Sequence, residues 1–454
     1  MHQPIQHAKR NRLGLWCLLA AVGALALAAC GSSSSSSSSA SASGATTTTS
    51  AKGATLQLWL GGILTTSTPG TPYLKWVNQQ IARFKAAEPG ANVQVTLLPA
   101  DNDQLAAKVE SAFAANKVPD VMMLYSGAYT TAYASGLLPL GKDINATPGF
   151  YGSMSNWDLS CANFNCNNGS GTILGVPTDD GGFFLFYNKS LLTKAGISGP
   201  PSTFSQLLSD CTALKSKGIV PLTYGDRDGY TTVNWLDEDI GSYLSSADAQ
   251  AMLAGKLKLT DPRIVQALAQ IAQLRTNGCV QSDATTHEQI DATNAFAAGK
   301  TAMVEMYPSL FTTFQKTLGS NLGVSTLPIS GNGPLASQIA ANSLDNWVIP
   351  KNAAHPDLGW EWIKLVSDKQ AGEGIATLLG NPPANIAADA GIANPLLKYM
   401  AAKVKQPGVP LLDSVLPNSV ALYLYKELQQ AFAGKISAQA AMSAAQTAFD
   451  RQSP

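Results

Sequence analysis

Residues 55–125 have the sequence TLQLWLGGILTTSTPGTPYLKWVNQQIARFKAAEPGANVQVTLLPADNDQLAAKVESAFAANKVPDVMMLY. The pattern predicts strands at its two ends and a third near 93–97, where apolar residues alternate. Two segments between the strands carry apolar residues at helical spacing, Leu74, Val77, Ile81 and Phe84 in one and Leu105, Val109, Ala112 and Phe113 in the other. This β-α-β-α-β order predicts an α/β fold with a mostly parallel sheet and helices on both faces.

Aromatic and glycine residues stand where the first and third predicted strands end. Trp59 precedes Gly61 and Gly62, and Tyr125 precedes Gly127. In open α/β sheets a ligand binds beyond the carboxyl ends of the strands. Trp59 and Tyr125 are therefore predicted to bind a ligand, and core packing is the alternative role for each.

The first thirty residues have the pattern of an export signal. Lys9, Arg10 and Arg12 precede an apolar run that is too short to span a bilayer. The run ends in LAAC, which resembles the lipobox of bacterial lipoproteins, and this resemblance implies that Cys30 is diacylated. We expect residues 1–29 to be a lipoprotein signal peptide. The alternative is an ordinary signal peptide in which Cys30 has no special role.

A tract without large apolar side chains follows Cys30. Residues 32–39 are all serine, and residues 40–50 contain only Ala, Ser, Thr and Gly. Such a composition cannot bury enough apolar surface to offset its conformational entropy. Residues 30–52 are thus predicted to be a flexible tether. It would hold the folded part at the extracytoplasmic face of the cell membrane, in the periplasm or at the cell surface, through acyl chains on Cys30.

The charge of the exported chain argues against nucleic acid as a partner. Without Lys9, Arg10 and Arg12 the chain has 27 basic and 30 acidic residues, a net charge of −3. It has no basic patch or stripe of the kind that marks nucleic-acid-binding proteins. From about residue 53 the chain is long enough for two domains, and no later apolar segment approaches the length of a membrane span.

Four cysteines remain in the part that is predicted to fold: Cys161, Cys166, Cys211 and Cys279. Outside the cytoplasm an even number of cysteines favours disulfides. The short spacing pairs the first two, and elimination pairs the last two. A structural zinc site is the alternative, but neither of the remaining histidines, His287 and His355, neighbours a cysteine, so we expect no metal.

Five motifs along the chain resemble, in order, those of extracellular solute-binding protein family 1, whose members are similar to maltose-binding protein. They are GVP (175–177) with FYNK (186–189) and LL (191–192), PPSTF (200–204) ahead of a segment ending in KGIVP (217–221), AFAAGKTAM (295–303), WVIPKN (347–352) with HP (355–356) and WEWI (360–363), and GNPPA (380–384). Each motif is short, but together they cover nearly the whole exported chain in the family's order.

The resemblance implies a two-lobed, type II-like periplasmic-binding-protein fold. Each lobe would contain a mostly parallel sheet flanked by helices, and the lobes would close on a ligand by hinge motion. Gly181 and Gly182 would form the first crossover between the lobes, where paired glycines can absorb backbone rotation. Further crossovers would lie near 340–343 and 390–398. Lobe one would comprise 53–182 plus 343–392, and lobe two 183–342 plus 393–454.

The resemblance also implies a function, that of the substrate-binding component of an ABC importer. Such a receptor is expected to be a monomer without cofactor or catalytic residues. It would capture a sugar or oligosaccharide between its lobes and deliver it to the transmembrane subunits of an ABC permease. Sugar sites combine aromatic faces, which cover the C–H faces of the ring, with planar polar groups that bond its hydroxyls.

The family's pattern extends the predicted site on both sides of the crossovers. Tyr125 falls where relatives carry a cleft aromatic residue. Asp179 and Asp180 directly precede the first crossover and could bond ligand hydroxyls, and a solvated turn is the alternative. Asp345 lies near the second crossover, ahead of Trp347, which is expected to pack in the core.

The lobe-two side of the predicted site is aromatic. Asp228, Tyr230 and Trp235 belong to a loop that contributes ligand contacts in relatives, and the alternatives are a polar turn or a calcium loop. Tyr307 lies where many relatives have Gly-Pro-Trp, but Ser309 occupies the tryptophan position in this chain. Further candidates stand near the last helices: Asn418, Tyr423 and Tyr425.

Of the arginines, only Arg227 lies in a predicted cleft loop. Sites for phosphate or carboxylate favour the guanidinium fork, so the sequence favours a neutral polyol. One alternative is another polar solute on the same fold, such as a glycerophosphodiester, a polyol or a polyamine. The other is a secreted carbohydrate-active enzyme with two carboxylates, for instance Asp179 and Asp228. The chain has no G-x-S-x-G or H-E-x-x-H motif, and we expect no enzymatic activity.

Overall fold

Three sheets organise the part of the chain that the structure describes. This computed structural model describes residues 53–61, 71–99, 102–155, 157, 171–405, 409 and 411–452. The strands in these residues are β1 (Thr55–Leu60), β2 (Asn92–Leu97), β3 (Val121–Tyr125), β4 (Gly175–Pro177), β5 (Asp180–Gly182), β6 (Phe184–Asn188), β7 (Val220–Thr223), β8 (Thr301–Met306), β9 (Leu322–Thr326), β10 (Ala341–Ser343) and β11 (Asp345–Val348).

Helices of four to sixteen residues connect these strands. The α-helices of the described ranges are α1 (Pro72–Ala87), α2 (Asn102–Ala114), α3 (Ala128–Thr131), α4 (Gly141–Ala146), α5 (Lys189–Lys194), α6 (Phe204–Ser216), α7 (Tyr230–Gly241), α8 (Ser246–Leu253), α9 (Pro262–Ile271), α10 (Gln273–Thr276), α11 (Gln289–Ala297), α12 (Phe311–Leu318), α13 (Pro356–Val366), α14 (Lys369–Gly374), α15 (Pro395–Val404), α16 (Leu412–Val415), α17 (Asn418–Phe432) and α18 (Ala438–Asp450). None of these helices has the length and apolar character of a membrane span.

The first sheet has the strand order β2-β1-β3-β11-β4, and we call the part built on it lobe one. β1 runs parallel to both β2 and β3, as the sequence predicts. Leu56, Leu58 and Leu60 alternate along β1 and are fully buried on one face of the sheet, in a core that includes Trp76 and Trp362. Alternation along the strand thus fixes which face of the sheet α1 and α13 cover.

The second sheet has the order β7-β8-β6-β9, and we call the part built on it lobe two. Leu185 faces a large core to which α6, α7, α9 and α17 contribute. Its neighbours Phe184 and Phe186 face the opposite side, where they pack with Phe296 and Phe314. Apolar residues on both faces of β6 therefore explain why this strand reads as a continuous apolar run in the sequence.

One strand in each sheet runs against its neighbours, which the prediction of mostly parallel sheets did not specify. β6 is antiparallel to β8 and β9, and β11 is antiparallel to β3 and β4. Each is the first strand after the chain crosses from the other lobe. Parallel strands end at the edge where the crossovers lie, whereas a strand that enters from a crossover begins there, so it must run in the opposite direction.

The two crossovers pair with each other as a small antiparallel sheet of β5 and β10. These strands lie at the first two predicted crossovers. The structure gives the glycines of β5 a steric reason in addition to backbone freedom. A Cβ on Gly181 would lie 2.5 Å from the Leu344 side chain, and one on Gly182 would lie 2.8 Å from the Ala340 oxygen. The crossing segments are thus too close for larger residues.

A disulfide joins Cys211 of α6 to Cys279, which follows α10, and their Cα atoms are 5.1 Å apart. This is the pairing that elimination predicts. Both cysteines are fully buried in the lobe-two core. Cys30, Cys161 and Cys166 lie outside the described residues, so the lipid anchor and the second disulfide stay predictions.

Candidate functional site

Tyr125 and Asp345 mark the lobe-one wall of the cleft. Tyr125 is the last residue of β3 and Asp345 is the first of β11, and the two pair across the sheet. Asp345 donates its backbone N–H to Asp179 Oδ1 at 3.2 Å, and the Asn381 side-chain amide donates to Asp179 Oδ2 at 2.5 Å. Both aspartates are buried. The structure therefore brings three of the predicted site residues together.

Burial makes this aspartate pair hard to ionise. It raises the pKa of Asp179 to about 6, against hydrogen bonds from Asn381 and from the Asp345 backbone that lower it. Burial, together with the neighbouring charge of Asp179, raises the pKa of Asp345 well above its usual value. Asp345 Oδ1 is enclosed and accepts no hydrogen bond from any described residue. The pair thus presents a desolvated acceptor that no described residue satisfies.

Tyr73, which sequence reasoning missed, lies beside this pair. It is 4 % exposed, and its hydroxyl has no hydrogen-bond partner among the described residues. Burial raises the pKa of Tyr73, and the charges of Asp345 and Asp179 raise it further. Thr71 fixes the start of α1, because its hydroxyl accepts the backbone N–H of Leu74 at 3.3 Å. The cap therefore places Tyr73 in the first turn, at the end of α1 that meets the aspartates.

Three tyrosines form the lobe-two wall. Tyr230 begins α7, Tyr307 follows β8, and Tyr425 lies in α17. The rings of Tyr230 and Tyr425 meet edge to face with centroids 5.7 Å apart. The Tyr425 hydroxyl donates to Asp413 Oδ2 at 2.6 Å. The structure thus brings together the candidates Tyr230, Tyr307 and Tyr425, whereas the candidate Tyr423 is exposed.

Tyr129 connects the two walls. It lies in α3 of lobe one, and its ring meets that of Tyr125 edge to face at 5.8 Å. Burial and the charge of Asp413 raise the pKa of Tyr230 and of Tyr425, and Tyr129 contributes to both shifts from across the cleft. Tyrosines of both lobes therefore approach one another here, with ring contacts within each lobe and Tyr129 near enough to Tyr230 and Tyr425 to raise their pKa values. Tyr129 follows the predicted Tyr125 by four residues, which is the signal in the sequence that could have identified it.

Glu305, at the end of β8, adds a buried carboxyl group to the lobe-two wall. The Asn234 side-chain amide donates to Glu305 Oε1 at 3.2 Å, and Oε2 has no partner among the described residues. Burial, together with the charge of Asp226, raises the pKa of Glu305 to about 8. Burial followed by the charge of Glu305 raises the pKa of Tyr307 to about 12. A single glutamate in the otherwise apolar strand TAMVEM is the signal that sequence reasoning passed over.

We expect the free energy of unfolding of the Glu305→Gln variant to depend less on pH than that of the parent protein. The folded protein holds this proton up to a pH of about 8, whereas the unfolded chain releases it near the usual value of 4.5. The free energy of unfolding should therefore fall as pH rises through that window, by up to about 1.4 kcal/mol per pH unit. Urea denaturation across the window should give a flatter profile for the variant. Glu110→Gln, on an exposed residue, should keep the parent slope, and an unchanged slope for Glu305→Gln would contradict the assignment.

Two predicted aromatic residues lie elsewhere. Trp235 is 1 % exposed and enclosed in the lobe-two core, because it lies five residues after Tyr230 and so points roughly 140° away around α7. Trp59 pairs in register with Met122 and shares its face of the sheet, whereas Tyr125, three residues after Met122, points to the other face. The Lys108 ammonium of α2 lies 5.6 Å from the Trp59 ring centroid. Both tryptophans therefore lie outside the site that Tyr125 and Tyr230 mark.

Asp228 and Asp180 hold chain segments in place. Asp228 is exposed, and its Oδ1 accepts the backbone N–H of Tyr230 at 3.1 Å, which shapes the start of α7. Asp180 is fully buried in β5, and its Oδ2 accepts the Ser155 hydroxyl at 2.5 Å. These contacts give the two predicted residues positioning roles at the border of the cleft.

Three successive carboxyl groups of α7 order the surroundings of the site. Each accepts a backbone N–H from a different segment: Asp237 from Leu412 at 2.8 Å, Glu238 from Ala340 at 2.8 Å and Asp239 from Ser330 at 2.7 Å. Burial raises the pKa of all three groups. α7 thereby positions α16, the second crossover and the connection after β9. Sequence reasoning missed this role because an acidic run in a helix is usually solvated.

A comparison with known families agrees with this arrangement. Residues 79–402 match the family described as bacterial extracellular solute-binding protein. The chain belongs to this family. The resemblance that the sequence motifs predict is thereby confirmed.

Curated relatives of this solute-binding protein are distant. The sn-glycerol-3-phosphate-binding periplasmic protein UgpB of Rhizobium meliloti (strain 1021) is 24 % identical over 74 % of this chain and 80 % of that protein. A "Probable ABC transporter-binding protein" of Deinococcus radiodurans is 26 % identical over 41 % of this chain and 45 % of that protein. The chain spans about half the length of this relative and of binding proteins from Brucella.

Solved structures resemble the solute-binding protein over most of its length. A chitin oligosaccharide binding protein gives a TM-score of 0.75 at 19 % identity and covers 87 % of this chain and 98 % of its own. The maltose-bound T. maritima MalE3 gives a TM-score of 0.69 at 18 % identity over 88 % of this chain and 99 % of its own. These likenesses confirm the predicted α/β, two-lobed periplasmic-binding-protein fold.

Proposed function

We propose that this solute-binding protein is the substrate-binding component of an ABC importer. It captures a sugar or oligosaccharide between its lobes and delivers it to the transmembrane subunits of a permease. The observation that carries the proposal is the surface formed by tyrosines of both lobes: Tyr125, Tyr129, Tyr230, Tyr307 and Tyr425. Tyrosine rings cover the C–H faces of a sugar, and their hydroxyls bond its polar edge.

Ligand binding closes the lobes about the paired crossovers. Lobe one comprises 53–182 plus 343–392, and lobe two 183–342 plus 393–454. Each of the two large sheets has a core of its own, which supports this division. Ala376 and Ile392, assigned to lobe one, also pack in the core around Phe184 of lobe two. The third crossover lies near 390–398. Closure buries most of the ligand, as is usual for concave sites.

The relative UgpB suggests a second candidate ligand, a glycerophosphate. A phosphate site would be expected to present a guanidinium group to the ligand. Arg227, the arginine predicted near the cleft, is exposed and forms an ion pair with Glu288. The charged groups that act on the pKa of Asp345 and Glu305 in the described ranges are acidic. These observations argue against an anionic solute, which leaves the sugar as the proposed ligand.

Binding leaves the ligand chemically unaltered in this proposal. The test combines a ligand screen with two measurements on the protein and the ligand it identifies. A thermal-shift screen of mono-, di- and oligosaccharides, polyols and phosphodiesters identifies the ligand, and small-angle scattering then measures compaction at saturation. Chromatography after long incubation should return the intact ligand. A cleaved ligand would show that the protein is an enzyme, and saturating binding without compaction would exclude the hinge mechanism.

We expect Tyr125→Ala and Tyr230→Ala each to weaken binding of the identified sugar by about 1–3 kcal/mol, because each removes a ring from one wall of the cleft. Titration calorimetry measures the affinity. Tyr423→Ala is the matched control, since Tyr423 is 40 % exposed on α17 only two residues from Tyr425, and it should bind as the parent does. Parent-like affinity in both cleft variants would place the sugar elsewhere.

The protein is proposed to be held outside the cytoplasm by lipid on Cys30, with residues 1–29 removed as the signal peptide. We expect Cys30→Ser to move most of the protein from the membrane fraction to the soluble fraction, since the acyl chains are its attachment. Fractionation of cells that express either form measures this. Ser32→Ala is the control and should stay with the membrane. Equal membrane retention of Cys30→Ser and the parent would disprove the anchor.

A further inference from the structure

Buried carboxyl groups stand on both walls of the tyrosine-lined cleft. Asp345 and Asp179 lie in lobe one, each 1 % exposed, and Glu305 and Asp413 lie in lobe two, 2 % and 9 % exposed. The charges of the first pair raise the pKa of Tyr73, and those of the second pair raise the pKa of Tyr230. The acidic groups thus flank the ring surface at both ends.

Several oxygens in these walls accept no hydrogen bond from the described residues. They are Asp345 Oδ1 in lobe one and Glu305 Oε2 and Asn234 Oδ1 in lobe two. Leaving a buried acceptor unsatisfied costs free energy, and more when the group is charged. The Tyr73 hydroxyl, also enclosed and unpartnered, can donate to a ligand or accept from it. Once ionised, the carboxyl groups of Asp345 and Glu305 only accept hydrogen bonds, so a ligand that binds the ionised site has to bring a donor.

Basic side chains do not supply that donor in the described part of the chain. The groups that change the pKa values of these four carboxyl groups are hydrogen-bond donors and other acids, and none is a lysine or an arginine in the described ranges. The four are Asp179, Asp345, Glu305 and Asp413. The arginines that form ion pairs do so elsewhere: Arg83 with Asp368, Arg227 with Glu288, and Arg263 with Asp248 and Asp261. Buried carboxylates are normally paired, so this site is arranged for a partner that arrives with the ligand.

We infer that the ligand is a saccharide that carries a free, protonated amino group, and that its ammonium lies against the Asp345–Asp179 pair. This inference rests on the proposed function and specifies its substrate class. Two neighbouring carboxyl groups repel each other when both are charged, and a cation between them removes that repulsion. Glu305 has one oxygen already bonded to Asn234, which suits it to a ligand hydroxyl. The rings of Tyr73 and Tyr125 add an attraction for the ammonium.

Three tetrasaccharides with the same β-1,4 linkage test the inference on the full exported protein. They are built from glucosamine, N-acetylglucosamine and glucose, so that only the group at the second carbon differs. At neutral pH the glucosamine compound should bind roughly ten- to a hundredfold more tightly than the glucose compound by calorimetry, the range of a charge-assisted hydrogen bond. The N-acetylated compound should show no such advantage, and spermidine, which has charge without sugar rings, should bind more weakly than all three.

Two isosteric variants locate the effect. Asp345→Asn should abolish the preference for glucosamine over glucose while keeping glucose binding, whereas Glu305→Gln should weaken all three compounds alike. The comparison on the parent protein needs no variant, so a failure of either variant to fold leaves it decisive. If the glucose or N-acetylated compound binds as tightly as the amino compound and compacts the protein, the amine is excluded and the sugar function stands. If none of the three causes compaction while another solute class does, both are overturned.

Discussion

Replacing Gly229 with alanine is expected to lower the free energy of unfolding by more than about 4 kcal/mol, enough to leave little folded protein. Gly229 precedes α7 with a φ of 86°, a conformation that L side chains rarely adopt. A Cβ there would lie 1.9 Å from the backbone oxygen of Tyr425 and 2.5 Å from its carbonyl carbon. α7 and α17 pack in the lobe-two core, so that backbone cannot move aside as the end of a flexible side chain would.

Gly196→Ala separates the clash from the backbone strain. Gly196 has a φ of 79°, and within the described ranges no atom lies within 4 Å of a Cβ built on it. Its replacement should therefore cost only the strain of a left-handed alanine, about 1–2 kcal/mol. Chemical denaturation followed by circular dichroism measures both losses. Similar losses for the two variants would show that α7 and α17 are not as close as the structure places them.

The periodicity of residues 55–125 predicted three strands and two helices of lobe one, because the two-residue period of a strand and the 3.6-residue period of a helix are local properties of the chain. β1 and β3 begin and end where the sequence pattern places them. The direction of β6 and β11 could not be predicted in this way, because it depends on which edge of a sheet the chain enters after a crossover. Strand direction is thus a property of the connections, and apolar alternation is the same in both directions.

The candidate site shows the same division between local and long-range information. Tyr125 was predictable because the end of a parallel strand marks the cleft edge. The position of Trp235 was not predictable, because the sequence pattern places it in a loop. In the structure α7 begins at Tyr230, and the helix directs Trp235 toward the core. Glu305 has a signal in the sequence, a lone acid in an apolar strand, but Tyr73 has none. The significance of both lies in hydrogen bonds that the other described residues do not make.

A close approach of lobe one to lobe two at Gly127 suggests how closure can be blocked without touching the ligand. Gly127 follows β3 with a φ of 66°, and a Cβ on it would lie 2.5 Å from the backbone oxygen of Ser414 in α16. α16 belongs to lobe two, since Leu412 donates its N–H to Asp237 of α7. On the other side, the Ser126 hydroxyl donates to the backbone oxygen of Ser343 in β10. The loop is therefore held between the crossover and α16, with no room to retreat.

We expect Gly127→Ala to keep the lobes from reaching this arrangement and to weaken sugar binding roughly ten- to a hundredfold, the cost of one overpacked contact. Scattering at saturating ligand should show less compaction than in the parent, because the added methyl group acts as a wedge between Gly127 and Ser414. Gly149→Ala is the control, since Gly149 has a φ of 76° in lobe one but no atom of a described residue lies within 4 Å of a Cβ built on it. It carries the same backbone strain without the wedge, so it should close and bind as the parent does. Full compaction of Gly127→Ala would mean that Ser414 and Gly127 do not meet in the ligand-bound protein, and that other contacts limit closure.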